Sequence, residues 1–230
     1  MNCSIEGNKY ENIVCNVVKQ CITPENTILL HSEVLGGSSS RYDIICKWNE
    51  EIIPMEIKKK NAPDWTQCSL KYIDGLWKSS PKSKIPKNAR EIFDALIPQD
   101  LYGNVLPPFV ERKITHEEWL LIKTPFKDVY VDVPSDTIRN LYKSKGCYYI
   151  QISEYGLYHL GEDICDFGVP IFDCEQRIRI RTKIHRKKNK QGYCDLSIMA
   201  ACQPKKINDI EISNYSLDDI ERIPINLHLL

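Results

Sequence analysis

The stretch between residues 43 and 58 constrains the fold of this chain most strongly, because it predicts two adjacent strands joined by a tight turn. Asp43 opens the first predicted strand, Asn49-Glu50-Glu51 form the turn, and the second strand ends in Glu56-Ile57-Lys58. Side chains alternate between the faces of a strand, so Glu56 and Lys58 share one face. A hairpin places Asp43 beside them. The sequence therefore predicts two carboxylates and a lysine that converge at one edge of a sheet.

Such a cluster has two interpretations. It is either an ordinary cross-strand ion pair on a solvated face, or a site that holds a hard divalent cation next to a polarised water. The surrounding residues favour the metal site. The small residues from Gly36 to Ser40 precede Asp43 and let a backbone or a phosphate approach closely, and Lys58-Lys59-Lys60 adds positive charge.

A first helix is predicted over residues 7–21 from apolar residues at spacings of three and four. Glu11 lies at the margin of its apolar stripe, on the side of Val14 and Val18. It is either a solvated helix acid or a further acid beside the cluster. Residues 27–34 are predicted to form a strand, on which Glu33 is a weaker candidate acid and His31 is expected to be a packed residue.

Asp43, then Glu56-Ile57-Lys58, preceded by a helix that bears Glu11, resembles the motif of the PD-(D/E)XK nuclease superfamily. Tyr42 stands where that motif has proline. The resemblance covers roughly the first third of the chain and rests on a short motif.

The resemblance implies a Mg²⁺-dependent endonuclease, with Mn²⁺ as a substitute. Asp43, Glu56 and the carbonyl of Ile57 would hold the metal, and Lys58 would orient or help deprotonate the attacking water and stabilise the transition state. Glu11 would be an outer or second-metal acid. Lys59, Lys60 and Gln67 are expected to contact DNA or support the site.

Size and layout are most similar to a type II restriction endonuclease, which implies a homodimer acting on double-stranded DNA. A structure-selective repair or recombination nuclease is one alternative, and a non-catalytic nucleic-acid-binding protein is another. A zinc site is a further possibility, disfavoured by irregular spacing; its ligands would be His159, Cys165, Cys174 and His185.

Composition indicates a soluble protein without a membrane anchor. The chain has 230 residues, of which 42% are hydrophobic and 27% charged, and its longest apolar runs fall well short of the roughly 20 residues that span a bilayer. The polar N-terminus and scattered cysteines favour a cytoplasmic protein. An abundance of Ile, Lys and Asn suits a low-GC bacterial genome.

The net charge is zero, but positive charge is concentrated in two stretches. Five basic residues and no acid lie between Lys78 and Arg90, and eight and no acid lie between Arg177 and Lys190. In the second stretch the basic residues alternate with apolar ones, which predicts a β-hairpin with one apolar and one basic face. This basic face is expected to contact DNA phosphates through Arg177, Arg179, Arg181 and Lys183.

The predicted fold is α/β, with a mixed central sheet flanked by helices, as in restriction endonucleases, and a β-rich C-terminal region. Residues 1–145 are expected to form the nuclease core with inserted helices, and residues 146–230 a β-rich DNA-binding region packed into the same domain. Helices are further expected from about residue 64 to 77, over 90–97, over 115–123 with Thr115 and Glu118 as a capping box, and over 135–145.

Overall fold

The structure is a computed structural model that describes residues 3–22, 42–48 and 51–229. The protein is α/β. Within the described residues there are four α-helices, α1 (Cys3–Val18), α2 (Lys87–Leu96), α3 (His116–Ile122) and α4 (Thr137–Lys145), together with four short 3₁₀ helices. The strands are β1 (Cys21–Ile22), β2 (Ile44–Trp48), β3 (Glu51–Lys58), β4 (Thr66–Ile73), β5 (Leu76–Ser79), β6 (Val129–Val133), β7 (Tyr149–Ile152), β8 (Gly156–His159), β9 (Gln176–Arg186), β10 (Asp195–Pro204) and β11 (His228–Leu229).

The chain forms two compact units that interleave in sequence. Unit 1 takes residues from Met1–Pro63, Ile138–Glu175 and Lys205–Leu230, and unit 2 takes Asp64–Thr137 and Gln176–Pro204. The boundary predicted between residues 145 and 146 therefore falls inside unit 1.

Unit 1 contains a mixed four-stranded sheet in the order β2-β3-β7-β8. The outer pairs are antiparallel, and the central strands β3 and β7 run parallel. Strand β3 buries Ile53, Met55 and Ile57 in a core shared with Val14 and Val18 of α1. Glu56 and Lys58 consequently leave β3 on the opposite face, as the strand period predicts.

Unit 2 contains a five-stranded antiparallel sheet in the order β5-β4-β10-β9-β6. A small cluster of Ile114, Trp119 and Phe126 supports it, with Leu196 of β10 packed against that cluster. The long pairing of β9 with β10, from Gln176–Pro204 to Arg186–Asp195, makes this hairpin the centre of the unit.

Several predicted elements are confirmed. Helix α1 covers most of residues 7–21, although its N-terminus begins earlier and Cys21 belongs to β1; helices α2, α3 and α4 match the helices expected from residue 90 onward. The hydroxyl of Thr115 accepts the backbone N–H of Glu118 at 3.1 Å, as expected of the N-cap of α3.

The helix predicted from residue 64 to 77 is wrong, because this segment forms the hairpin β4–β5. Its turn is Asp74-Gly75, with φ values of +52° and +78°. An Asp-Gly pair with both residues left-handed makes the tight turn that matches the twist of paired strands. Gln67 therefore lies on the exposed side of β4 and not on a helix.

Among the described residues, each helix is too short or too polar to cross a lipid bilayer.

Candidate active site

The backbone of β3 holds Asp43 through two hydrogen bonds, one to its main chain and one to its side chain. Asp43 immediately precedes β2, and its backbone N–H donates to the carbonyl of Met55 at 3.1 Å. Its carboxylate oxygen Oδ2 accepts the backbone N–H of Ile57 at 2.9 Å. Since Ile57 lies between Glu56 and Lys58, this bond brings the Asp43 carboxylate to the part of β3 that the sequence predicts.

The ammonium of Lys58 lies among three oxygen atoms. Its Nζ is 3.0 Å from Oδ2 of Asp43, 2.6 Å from Oε1 of Glu56 and 3.0 Å from the carbonyl oxygen of Ile57. The side chains of Lys58, Asp43 and Glu56 are 13%, 17% and 4% exposed, so this is a largely buried ion cluster. The structure thus brings together the four residues expected at its centre: Asp43, Glu56, Ile57 and Lys58.

The site contains a second lysine that was not predicted from the sequence. Lys145, in the last turn of α4, places Nζ 3.5 Å from both carboxylate oxygens of Glu56. The thiol of Cys147 lies 3.9 Å from Oε2 of Glu56, and the ring of Tyr142 lies under both ammonium groups, 4.8 Å from Nζ of Lys145 and 5.8 Å from Nζ of Lys58. Helix α4 reaches the site because β7, which follows it, pairs in parallel with β3.

Glu11 belongs to the same electrostatic environment. Its residue is 8% exposed, and its Oε2 has no hydrogen-bond partner among the described residues. Burial raises the pKa of Glu11 to about 7; the charges of Asp43 and Glu56 add to this rise, and Lys58 opposes it. The sequence left two interpretations of Glu11 open, a solvated helix acid or a further acid beside the cluster. Its burial excludes the solvated one, and its electrostatic coupling to Asp43, Glu56 and Lys58 favours the other.

The two central carboxylates have pKa values shifted in opposite directions. Burial pushes the pKa of Asp43 upward, but Lys58 and the N–H of Ile57 outweigh it and hold this pKa below its ordinary value. Burial dominates at Glu56 and raises its pKa, against the opposing effect of Lys58 and Lys145. Burial alone would lower the pKa of Lys58, yet Asp43 and Glu56 raise it well above its ordinary value, so this lysine is protonated.

The oxygen atoms at the site have the chemistry of a Mg²⁺ site, although the lysine now lies between them. Carboxylate and carbonyl oxygens are hard ligands, and the ammonium of Lys58 stands where a cation is attracted. The unpaired buried oxygen of Glu11 adds a further acceptor nearby. No group of three or more His, Cys, Asp or Glu side chains in the described part of the chain is placed to hold a metal. Mg²⁺ commonly binds through one or two carboxylates together with waters and substrate phosphates, so Asp43 and Glu56 fit it.

The lysines that follow the motif contact acids. Nζ of Lys59 lies 3.1 Å from Oε2 of Glu6 on α1, and Lys60 forms an ion pair with Glu154. Both side chains are about one-third exposed. Their contact with DNA stays a prediction and would require exchange of these partners.

The arginines of β9 have acidic partners that the sequence of β9 does not reveal. Arg179 lies 2.6 Å from Oδ2 of Asp128, and Arg181 forms an ion pair with Asp64, whose side chain is 8% exposed. Arg177 stacks over the ring of Tyr130 at 4.4 Å. The basic face of β9 is therefore partly neutralised. Gln67 lies on the same sheet face, since it pairs with Ala201, which pairs with Arg179.

Several sequence predictions lie outside the described residues: the turn residues Asn49 and Glu50, the segment Gly36 to Ser40, His31 and Glu33. Comparison of the chain with protein-family models, with curated proteins and with solved structures gives no match.

Proposed function

We propose that this protein is a metal-dependent endonuclease that hydrolyses phosphodiester bonds in double-stranded DNA. The observation that carries the proposal is the contact of one buried ammonium, that of Lys58, with Asp43, Glu56 and the carbonyl of Ile57. An isolated buried charge is very costly, so oxygen atoms gathered in this way indicate a site built to hold positive charge. The mixed sheet of unit 1, with α1 packed on it, is consistent with the superfamily that the motif resembles.

Each residue of the ion cluster has a distinct role in the proposed reaction. Asp43, Glu56 and the Ile57 carbonyl would hold Mg²⁺, which when bound polarises a phosphoryl oxygen and lowers the pKa of water. Because Lys58 is protonated, its Nζ acts as a donor: it orients the attacking water and stabilises negative charge on the phosphoryl group. Lys145, with Nζ 3.5 Å from both carboxylate oxygens of Glu56, would compete with the metal for this carboxylate. With a pKa of about 7, the Glu11 carboxyl would exchange a proton near neutral pH, as an outer acid of the site.

We further propose that cleavage is sequence-specific, as in type II restriction endonucleases, and that the protein acts as a homodimer. One face of the unit 2 sheet carries the side chains that we propose contact DNA: Arg177, Arg179, Arg181, Lys183 and Gln67. Arginines form bidentate hydrogen bonds to guanine and glutamine to adenine, so this face has the side chains that base readout requires.

The test is incubation of the full chain with a large genomic DNA and Mg²⁺, beside a Glu56→Gln preparation purified identically. Discrete fragments from the parent alone support a sequence-specific endonuclease, and a smear from the parent alone supports a nonspecific one. Cutting of branched DNA alone would favour a structure-selective nuclease. Equal cutting by both preparations, or none by either, would contradict the proposal.

One observation favours a second candidate, a non-catalytic DNA-binding protein. The ion cluster of Lys58, Asp43 and Glu56 is closed as it stands, and no third acid side chain completes a metal group among the described residues. In that case the acids stabilise the hairpin, and the protein binds duplex DNA without cutting it at any Mg²⁺ concentration.

A further inference from the structure

We propose that the outer part of the β9–β10 hairpin, residues 183–197, is a DNA-docking ribbon whose tip enters the major groove of a duplex. The choice of DNA as partner rests on the proposed function. The placement of the docking surface rests on the pairing, the packing and the charge of the hairpin itself.

The ribbon extends past the rest of its sheet. Strand β4 pairs with β10 only at residues 198–202, and β6 pairs with β9 only at residues 176–180. Beyond these registers Lys183 faces Ser197, Ile184 faces Leu196 and Arg186 faces Asp195. Within the described part of the chain these residues have no other strand neighbours. A two-stranded β-ribbon has the width that the major groove admits, about 12 Å.

One side of the ribbon is held firmly. Leu196 packs on the cluster of Ile114, Trp119 and Phe126, and the backbone N–H of Cys194 donates to the carbonyl of Ile114 at 2.8 Å. The side chain of Lys113 donates to Gln191 at 2.6 Å. The ribbon is therefore braced on one side and does not depend on its own two strands for order.

The tip is organised by one side chain. The Oδ1 atom of Asn189 accepts the backbone N–H groups of Gln191 and Tyr193 at 2.9 and 3.1 Å, and its Nδ2 donates to Asp195 at 2.8 Å. Gly192 has a φ of +86°, which a glycine adopts without strain. The cations around Asn189 are thus presented from an ordered loop, which lowers the conformational entropy lost on binding.

The uncompensated charge of the hairpin lies at this end. Arg179 and Arg181, nearer its base, are paired with acids. At the tip, Arg186, Lys187 and Lys190 are exposed and form no ion pair with any described residue; Lys188 is exposed too, with Glu117 as its acidic neighbour. Among the described residues, phosphates binding at the tip therefore displace no acidic partner from these three side chains, whereas at Arg179 and Arg181 they would displace Asp128 and Asp64.

The test uses a tip variant, Arg186→Gln, Lys187→Gln and Lys190→Gln, and a control with the same change of charge at exposed lysines elsewhere, Lys19→Gln, Lys84→Gln and Lys206→Gln. Binding to a generic duplex is measured across a salt series in chelator, so that hydrolysis does not enter. Each lost phosphate contact lowers the salt slope by about 0.9, so the tip variant should lose about 2.7 and bind at least about tenfold more weakly at 0.15 M salt. The control should bind like the parent.

A second measurement tests the groove. A duplex with bulky substituents at C5 of its pyrimidines, which fill the major groove, should bind the parent as weakly as the plain duplex binds the tip variant. If the triple variant does not fold, the single variant Lys187→Glu replaces it. Lys187→Glu should weaken DNA binding more than the control Lys84→Glu.

Equal binding by the parent and the tip variant, equal weakening by tip variant and control, or indifference to the bulky duplex would each overturn the inference. None of these outcomes bears on cleavage, which the genomic DNA assay decides separately. Tip-dependent binding without any cleavage would keep the ribbon and reject the nuclease.

Discussion

Lys58 and Glu56 lie two residues apart on β3, and their side chains meet on one face with 2.6 Å between Nζ and Oε1. The same Nζ lies 3.0 Å from Asp43. Two buried carboxylates therefore share one ammonium, with Lys145 as a weaker second partner of Glu56 at 3.5 Å. Charges arranged in this way are strongly coupled, and removal of any one of them should affect both stability and metal affinity.

Lys58→Met should destabilise the protein in chelator, because it leaves Asp43 and Glu56 buried beside each other without their main cation. Breaking a buried ion pair from one side costs roughly 3–5 kcal/mol of unfolding free energy. Mg²⁺ should restore more stability to this variant than to the parent, since the metal takes the place of the ammonium. Urea denaturation with and without Mg²⁺ measures both effects. The exposed Lys143→Met is the control, and a Lys58→Met protein as stable as this control would contradict the prediction.

Asp43→Asn and Glu56→Gln should each reduce DNA cleavage by on the order of 100-fold or more, because each removes a metal-binding charge from the transition state. Binding to DNA in Ca²⁺ should stay unchanged or tighten, since a carboxylate that repels phosphate is gone. Cleavage rates and equilibrium binding are measured on the same substrate. Glu162→Gln, at an exposed position, should leave both unchanged. Near-normal turnover by Asp43→Asn would show that this carboxylate is structural.

Lys145→Gln should tighten Mg²⁺ binding by about three- to tenfold, because its ammonium competes with the metal for Glu56. The readout is the Mg²⁺ concentration that gives half of the maximal rise in melting temperature, which is independent of activity. Lys143→Gln, two residues away and exposed, is the matched control. Weaker Mg²⁺ binding by Lys145→Gln would mean that Lys145 acts by positioning Glu56 and not by competing for it.

Glu11 should make the metal-free protein less stable as pH rises through neutrality. Its pKa is about 7 in the folded chain against 4.5 ordinarily, so between these values the folded chain binds more protons than the unfolded chain. Ionisation of buried Glu11 therefore removes up to about 3 kcal/mol of stability by pH 8. Glu11→Gln should resemble the parent at pH 5 and exceed it at pH 8 in urea denaturation with chelator present. A Glu11→Gln variant with the same pH profile as Glu162→Gln would exclude a buried, ionising Glu11.

Gln151→Met should destabilise the helix that carries Glu11. Gln151 lies in β7, fully buried, and its Nε2 donates to Tyr10 of α1 at 3.1 Å and to Ser216 at 2.7 Å, while its Oε1 accepts the N–H of Leu217 at 2.9 Å. Methionine fills a similar volume but leaves the N–H of Leu217 without its acceptor, while the hydroxyls of Tyr10 and Ser216 keep only their bonds to Asp218. A buried polar group that loses its partner costs about 1–3 kcal/mol. Hydrogen exchange of α1 should accelerate in this variant. Unchanged protection of α1 would show that its apolar contacts alone hold it.

The core of the candidate site was predictable because it depends on local rules. The strand period places Glu56 and Lys58 on one face, and a hairpin brings Asp43 to them, so the arrangement follows from about sixteen consecutive residues. Glu11 was predictable only as a residue on the margin of an apolar stripe. That it lies beside the cluster depends on how α1 packs.

Other parts were not predictable from local sequence. Lys145 and Tyr142 join the site through the parallel pairing of β3 with β7, and a parallel pair leaves no turn signal in the sequence. Asp64 and Asp128 neutralise arginines that are distant in the chain. The helix wrongly predicted before Trp77 had a signal against it, the Asp74-Gly75 turn, which outweighed the helical spacing of the apolar residues around it.

The interleaving of the two units has a consequence for how the site is made. Lys145 and Glu56 are 89 residues apart, and the chain between them contains the whole first segment of unit 2. That segment includes β4. Strand β4 pairs with β10, and β10 is synthesised only after β7 and β8. Neither unit can complete its fold before part of the other unit has been synthesised. Both units therefore depend on contacts between residues far apart in the sequence, and such contacts raise the contact order and slow folding.

No single cut of the chain yields either unit intact. A fragment ending at residue 145 would retain Asp43, Glu56 and Lys58 yet lack β7, the central neighbour of their strand. The charged cluster would then lie on an unprotected strand edge, open to water and to pairing with other chains. Any metal affinity should therefore appear only after β7 has been synthesised and has paired with β3.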